Sequence, residues 1–276
     1  MFKIRNLLLC VLFAMVFNIS AVKAEAVLFF SPTRVEIEGG KPVQEIRVTN
    51  MSDIARSYNL SLQNLVMNED GVTVPVDTFD FSAKRMLRFV PRQFDIQPGK
   101  KQVIRIMARF PEGTEAGEYH AHLEFLENIT RRIELNKDAS PENQARARAQ
   151  VAYAAAIPVI IGNGDIKTDV SMDQVKIVPH AQTQKRALSL DLHRSGNGQG
   201  NIFLEADYIG PDGQVKKAAV RRSVYVYREL SVRHHTFLLE LLDEADVQKG
   251  GQIKVKLYNR DVSESDPIDE AILPLS

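Results

Sequence analysis

This sequence of 276 residues has one cysteine, Cys10, no tryptophan, and no excess of either charge. Cys10 lies in an N-terminal apolar run, so the rest of the chain forms no disulfide and must rely on its apolar core for stability. Its 35 lysines and arginines balance 35 aspartates and glutamates, which argues against nucleic acid or an anionic membrane as the main partner. The lack of tryptophan also disfavours a carbohydrate-binding sandwich, which would present an exposed aromatic platform.

Only the N-terminus carries a long apolar run. Residues 1–24 begin with Lys3 and Arg5, continue through an apolar stretch, and end in Val-Lys-Ala, which is typical of a cleavable secretory signal peptide. Its removal takes away three basic residues, Lys23 being the third, and leaves a formal net charge of −3. No later run approaches the length of a membrane span. We therefore expect an exported protein with no stable membrane insertion.

Residues that could carry chemistry are few. No serine stands in a nucleophile-elbow context, and no thiol remains beyond residue 24. The glycine-rich segments 195–201 and 210–214 are typical of turns, and neither opens a helix that could hold a phosphate. His120 and His122 alternate on one predicted strand and could reach one metal ion, but no third ligand is visible, and two polar residues on one sheet face are the simpler interpretation. We expect no enzyme, no cofactor and no metal site.

Short segments with period-two alternation fill the remainder of the chain, for example EIRVTNMS, QVIRIMARF and EYHAHLEFLE. Turn clusters such as NEDG and QPGKK separate them, and this spacing predicts an all-β chain of antiparallel sandwiches. The glycines of residues 162–165 break the chain, which predicts two immunoglobulin-like domains, residues 25–163 and a smaller one at 164–276. The charged segment 130–148 predicts a mobile loop.

The uncharged segment QVAYAAAIPVII, residues 150–161, follows that charged segment directly. On a strand its side chains divide into a small row and a larger row, and the larger row consists of Val151, Tyr153, Ala155, Ile157 and Val159. One interpretation is a central strand whose larger row lies in the domain's own core. The other is an edge strand that is lent to another protein's sheet, which Pro158 favours because proline cannot donate to a ladder.

Three stretches resemble one known family. They are SPTRVEIEGGKPVQEIRVTNMSD, RFVPRQFDIQPGKKQVIRIMARFPEG and AGEYHAHLEF, in the order in which PapD-like periplasmic chaperones of the chaperone–usher pilus pathway carry similar segments. The resemblance covers most of the first domain, and the second domain shares only its general sandwich character. It implies two immunoglobulin-like β-sandwich domains at an angle, with a cleft between them.

The resemblance also implies a site. Strand 150–159 would be the donor strand, with Val151, Tyr153, Ala155, Ile157 and Val159 filling the groove of a pilus subunit. Arg34 matches the arginine that grips the subunit's terminal carboxylate. The lysine expected near Ile157 is missing, which indicates either a divergent branch or a chaperone whose client is anchored differently. Arg105 and Glu118 match two members of a buried charge network, and Asp261 is a candidate for a third.

The leading hypothesis is a periplasmic chaperone that caps pilus or fimbrial subunits by donor-strand complementation and delivers them to an outer-membrane usher. The partners implied are those subunits and the usher, with self-association through the donor strand as a further possibility. The alternative is a structural or adhesive immunoglobulin-like subunit of the cell envelope or surface.

Overall fold

The computed structural model describes residues 27–38, 42–242, 247–260 and 266–275. The predicted signal peptide, residues 1–24, lies outside the described residues. Within them most of the regular secondary structure is β-strand, and the strands form two sandwiches, one from residues up to 163 and one from residues after 167. The prediction of an all-β chain of two immunoglobulin-like sandwiches is confirmed. The domain boundary at residues 163 and 164 stays our proposal.

The N-terminal domain contains strands β1 to β11 and two stacked sheets. One sheet has the strand order β1-β3-β9-β7, the other has the order β2-β11-β10-β4-β8, and β5 pairs with β6 in a separate hairpin. In chain order these strands are β1 (Leu28–Ser31), β2 (Val35–Ile37), β3 (Val43–Asn50), β4 (Arg56–Gln63), β5 (Leu65–Met67), β6 (Thr73–Pro75), β7 (Leu87–Val90), β8 (Gln93–Ile96), β9 (Lys101–Ala108), β10 (Gly117–Glu127) and β11 (Ala154–Asn163).

Period-two alternation decides which side chains enter this domain's core. On β3, Ile46 and Val48 are buried while their neighbours Glu45 and Arg47 are exposed. The facing strands supply partners of the same kind, so large aliphatic side chains of both sheets meet in one apolar cluster. Burying one such side chain stabilises the fold by about 1.5–3 kcal/mol. The apolar core can therefore stabilise the domain without disulfides.

The C-terminal domain repeats this design with a separate core. Its sheets have the strand orders β12-β13-β16 and β15-β14-β17-β18, and its buried cluster shares no residue with the first domain's cluster. The strands are β12 (Thr168–Pro179), β13 (Arg186–Gly196), β14 (Gly200–Ile209), β15 (Val215–Val226), β16 (Val232–Leu238), β17 (Gln252–Asn259) and β18 (Asp269–Pro274).

The segment predicted as a mobile loop, residues 130–148, instead contains most of two short helices, α1 (Ile129–Leu135) and α2 (Pro141–Ala147). Asn128 caps α1 by accepting the N–H of Arg131, and Ser140 caps α2 by accepting the N–H of Asn143. The prediction was wrong because the low apolar content hid a buried arginine, Arg132, which ties α1 to the domain.

The β5–β6 hairpin reaches across to the C-terminal domain. The backbone N–H of Met67 donates to the Glu229 carboxylate at 2.8 Å, and the N–H of His234 donates to the Glu69 carbonyl at 2.6 Å. Gly71, at the hairpin tip, has a φ of +77°, and a Cβ there would overlap the Arg233 guanidinium. The hairpin therefore fixes one domain against the other.

Candidate binding site at strand β11

Strand β11 is covered unevenly along its two edges. Its first edge pairs antiparallel with β10 over Ala154–Asn163. Its second edge pairs with β2 only at residues 159–161. Of the residues that the structure describes, none forms a strand pair with the second edge over residues 154–158. The strand is thus central at its C-terminal half and an edge strand at its N-terminal half.

The backbone of the open half can pair with another strand. The Glu127 N–H donates to the Tyr153 carbonyl at 3.0 Å, so odd-numbered residues of β11 direct their backbone groups at β10 and even-numbered residues direct theirs at the open edge. Ala154 and Ala156 therefore present N–H and C=O groups there, and Pro158 presents only its C=O. Proline is compatible with this strand because its missing N–H falls on the open side.

In the larger side-chain row of the predicted donor strand, the first residues are exposed and the last ones are buried. Val151 is 61% exposed and Tyr153 is 43% exposed, whereas Ile157 and Val159 are 3% and 0% exposed and belong to the domain's own core. Ala155, between them, is partly buried. The regular strand begins at Ala154 and not at residue 150 as predicted. Of this larger row, only Val151, Tyr153 and Ala155 are therefore accessible to a partner.

An apolar cavity lies beside this open half. It measures about 170 Å³ and is lined by Leu28 and Phe30 of β1, by Tyr58 of β4, and by Tyr153 and Ala155. The cavity lies between β1 and β11, because β1 pairs with β3 in the other sheet and not with β11.

A buried charge network supports the start of β11. Glu127, the last residue of β10, accepts hydrogen bonds from Arg56 at 2.5 Å and from Arg132 at 2.7 Å. All three side chains are buried, at 8% exposure or less. The same carboxylate accepts the N–H of Tyr153 at 3.2 Å. Sequence reasoning missed this network, because nothing in the spacing of these three residues indicates that they meet.

Two of the three residues of the network predicted from the resemblance, Arg105 and Glu118, lie among the described residues. Arg105 is exposed on β9 and pairs with Glu45 at 3.1 Å. Glu118 lies at the domain junction, where its carboxylate accepts the N–H of Gln199 at 2.5 Å. Asp261 lies outside the described residues. Arg105 alternates with the inward-facing residues of β9, so it is directed to solvent, and the prediction that it is buried was wrong.

Arg34, the predicted carboxylate anchor, lies between the domains just before β2. Its Nε donates to Glu36 at 2.7 Å, and a second nitrogen donates to the Gln199 side chain. The guanidinium also stacks over the Tyr225 ring, 4.1 Å from its centroid. The side chain is 12% exposed. A partner carboxylate would therefore have to compete with Glu36 for this guanidinium.

The two histidines of β10 face the same junction. His120 Nε2 lies 3.0 Å from a Glu229 carboxylate oxygen, and its ring packs against Tyr227 at 4.7 Å between centroids. Burial, the neighbouring His120 and Arg34 lower the pKa of His122 to about 4. Within the described parts of the chain, no cluster of three or more His, Cys, Asp or Glu side chains is placed to hold a metal ion. The geometry is that of a structural junction.

Comparison with known proteins identifies similar folds only. Neither a family model nor a curated protein matches the sequence. Among solved structures, the chain is similar to the YadV chaperone (14% identity, 91% of this chain and 100% of that chain, TM-score 0.44). It is also similar to the CupB2 chaperone of Pseudomonas aeruginosa (12% identity, 90% and 100%, TM-score 0.44). A third is the CsuC–CsuE chaperone–tip subunit complex of archaic chaperone–usher Csu pili from Acinetobacter baumannii (13% identity, 90% and 97%, TM-score 0.43).

In the described ranges of the chain, every helix is too short or too polar to cross a membrane.

Proposed function

We propose that this protein is a non-enzymatic periplasmic chaperone that caps pilus or fimbrial subunits and delivers them to an outer-membrane usher. It lends the open half of β11 to a subunit whose sandwich lacks a strand. The sequence resemblance supports this proposal, and the observation that carries it is the uneven cover of β11. Export through the signal peptide of residues 1–24 brings the chain to the compartment where such subunits fold.

The open half of β11 combines two features that need a partner. The N–H and C=O groups of Ala154 and Ala156 that face away from β10 pair with no strand in the described part of the chain, and they form a template for another strand. Exposed Val151 and Tyr153 add apolar area beside that template. An edge with these properties causes aggregation unless something covers it, and strand addition covers both features at once. A transfer chaperone needs such an edge, because it must release its client again.

The buried half of the same strand supplies a rigid base. Ile157 and Val159 are anchored in the core, and β2 pairs with the segment that follows. The lent part is therefore short, and we assign Val151, Tyr153 and Ala155 to the subunit groove. We keep Arg34 as a candidate anchor for a subunit carboxylate, because a guanidinium binds two oxygens of a carboxylate in a fixed geometry.

The test uses two valines of equal exposure. Val151 is 61% exposed at the proposed site, and Val215 is 62% exposed in the C-terminal domain. The protein is co-expressed with candidate pilus subunits, and periplasmic extracts are assayed for co-purification. We expect Val151→Asp combined with Ala155→Asp to reduce the recovered subunit at least tenfold, because two carboxylates would enter an apolar groove.

Val215→Asp should leave subunit recovery unchanged. Equal recovery with the double variant and with wild type would refute strand donation through this edge. If the chain itself is found on the cell surface, the alternative of an envelope subunit replaces the chaperone proposal. Size-exclusion chromatography of the free protein reports whether two copies pair through the same edge, in which case the double variant should be monomeric.

A further inference from the structure

The residues that lead into β11 have no regular secondary structure, yet one side chain holds them. Arg132 of α1 donates from Nε to the Ala147 carbonyl at 3.0 Å and from a terminal nitrogen to the Val151 carbonyl at 3.0 Å. Its other terminal nitrogen donates to the Ala149 carbonyl. The side chain is 1% exposed. A single guanidinium thus binds three alternate carbonyls of residues 147–151.

Glu127 connects this guanidinium to the first exposed aromatic residue of the donor segment. Its carboxylate accepts from Arg132 and from the Tyr153 N–H, and its own N–H donates to the Tyr153 carbonyl. Arg56, on the other carboxylate oxygen, places its guanidinium 4.9 Å from the centre of the Tyr153 ring. Tyr153 is therefore held by its N–H, its carbonyl and its ring.

This arrangement is costly for stability and well suited to fixing a conformation. Buried ion pairs contribute little net stability, because desolvation offsets their attraction. A guanidinium, however, offers five N–H donors in a rigid plane, so carbonyls bound to it have one relative geometry. Helices α1 and α2 have seven residues each, too few to be stable alone. The network thus adds order to a segment that lies outside the regular helices and strands.

We propose that Arg132, acting through Glu127, is a positioning residue that orders residues 149–153 before a partner arrives. Val151 and Tyr153 are then already extended in line with β11 when a subunit binds. A binder ordered in advance loses less conformational freedom on association and binds more tightly. The part of this inference that concerns binding rests on the proposed function, whereas the ordering is a property of the free protein.

Two adjacent arginines give a matched test. Arg132→Lys keeps a positive charge beside Glu127 but offers one ammonium in place of a planar fork, so it cannot reach three carbonyls. Arg131→Lys is the control, because Arg131 is 48% exposed and pairs with Asp95 and Glu134 at the surface. Backbone amide order parameters are measured by NMR on the free full-length protein without its signal peptide.

In Arg132→Lys we expect the order parameter of the Val151 amide to fall from about 0.85 to below about 0.6, with Leu123 in β10 unchanged. The control should retain the wild-type values at both amides. An unchanged Val151 amide in Arg132→Lys overturns the proposal. So does an equal loss of order at Leu123, because Arg132 would then support the whole domain and would not position this segment.

The second readout is affinity for the subunit that co-purifies with the wild-type protein. We expect Arg132→Lys to weaken this affinity about tenfold, which corresponds to about 1.4 kcal/mol, and Arg131→Lys to leave it unchanged. Loss of order at residue 151 without a change in affinity would overturn the link to binding. If no subunit co-purifies with wild type, the proposed function fails, while the order parameters still decide whether Arg132 orders the segment.

Discussion

His122 should make the free energy of unfolding of the N-terminal domain depend on pH between about 4 and 6.5. Its side chain is almost fully buried on β10, and burial, then His120 and Arg34, lower its pKa to about 4, with Glu229 opposing them. Between that value and the ordinary value of about 6.5, the unfolded chain binds a proton that the folded chain excludes. Stability therefore falls as the pH is lowered through this window. From pH 7 to pH 5 the expected loss is about 2 kcal/mol.

The assay is urea unfolding at pH 7 and pH 5, compared between wild type and His122→Asn. The variant should lose stability at pH 7 but show a pH dependence that is smaller by about 2 kcal/mol. His235 of the C-terminal domain is the parallel case, because burial, with Arg233 and Arg222, also lowers its pKa to about 4. His234 acts in the opposite direction, since its hydrogen bond to Asp191 raises its pKa.

His122 and His235, whose pKa values are lowered, lie in different domains. Each single variant should therefore remove one part of the pH dependence of the unfolding free energy, and the double variant should remove both parts. The carboxylates whose pKa values are lowered, such as Glu229, lose their contribution only below about pH 4.5, outside the measured window. An identical slope in wild type and His122→Asn would show that the ring is protonated in the folded protein. The reasoning from burial would then be refuted.

Two further predictions concern the residues around β11. Glu127→Gln leaves two buried arginines without a carboxylate and should destabilise the N-terminal domain by about 3–5 kcal/mol in urea unfolding; a loss below about 1 kcal/mol would show that water reaches the network. Ile157→Asp places a carboxylate in the core and should prevent the domain from folding, as seen by loss of soluble protein from cell extracts. Folded Ile157→Asp protein with normal subunit capture would contradict the assignment of Ile157 to the core.

The strands could be predicted from the sequence because their alternation is a local property. The exposed Glu45 and Arg47 on β3 alternate with the buried Ile46 and Val48, and the same pattern recurs across both domains. The helices could not be predicted in this way. Asn128 and Ser140 are as typical of loops as of helix caps, and an arginine in a polar segment carries no sign that it is buried.

The binding site could be predicted only in part, for a related reason. The alternation in residues 150–161 shows which side chains share a face, but whether that face meets the core or a partner depends on where β10 and β2 end. The C-terminal half is a central strand, as the first interpretation has it, and the N-terminal half is an edge, which is the geometry that the proposed strand donation requires. Ile157 and Val159 are core residues, while Val151 and Tyr153 are exposed.

The end of β2 has a physical explanation in Pro158. In the parallel register of β2 and β11, Val35 lies opposite Val159, so a continued β2 would place Arg34 opposite Pro158. Even-numbered residues of β11 direct their backbone groups at this edge, and Pro158 has no N–H to donate to a continued β2. The ladder therefore loses a donor at the point where it stops, and β1 pairs with β3 in the other sheet. The missing N–H of Pro158 thus contributes to leaving the N-terminal half of β11 open.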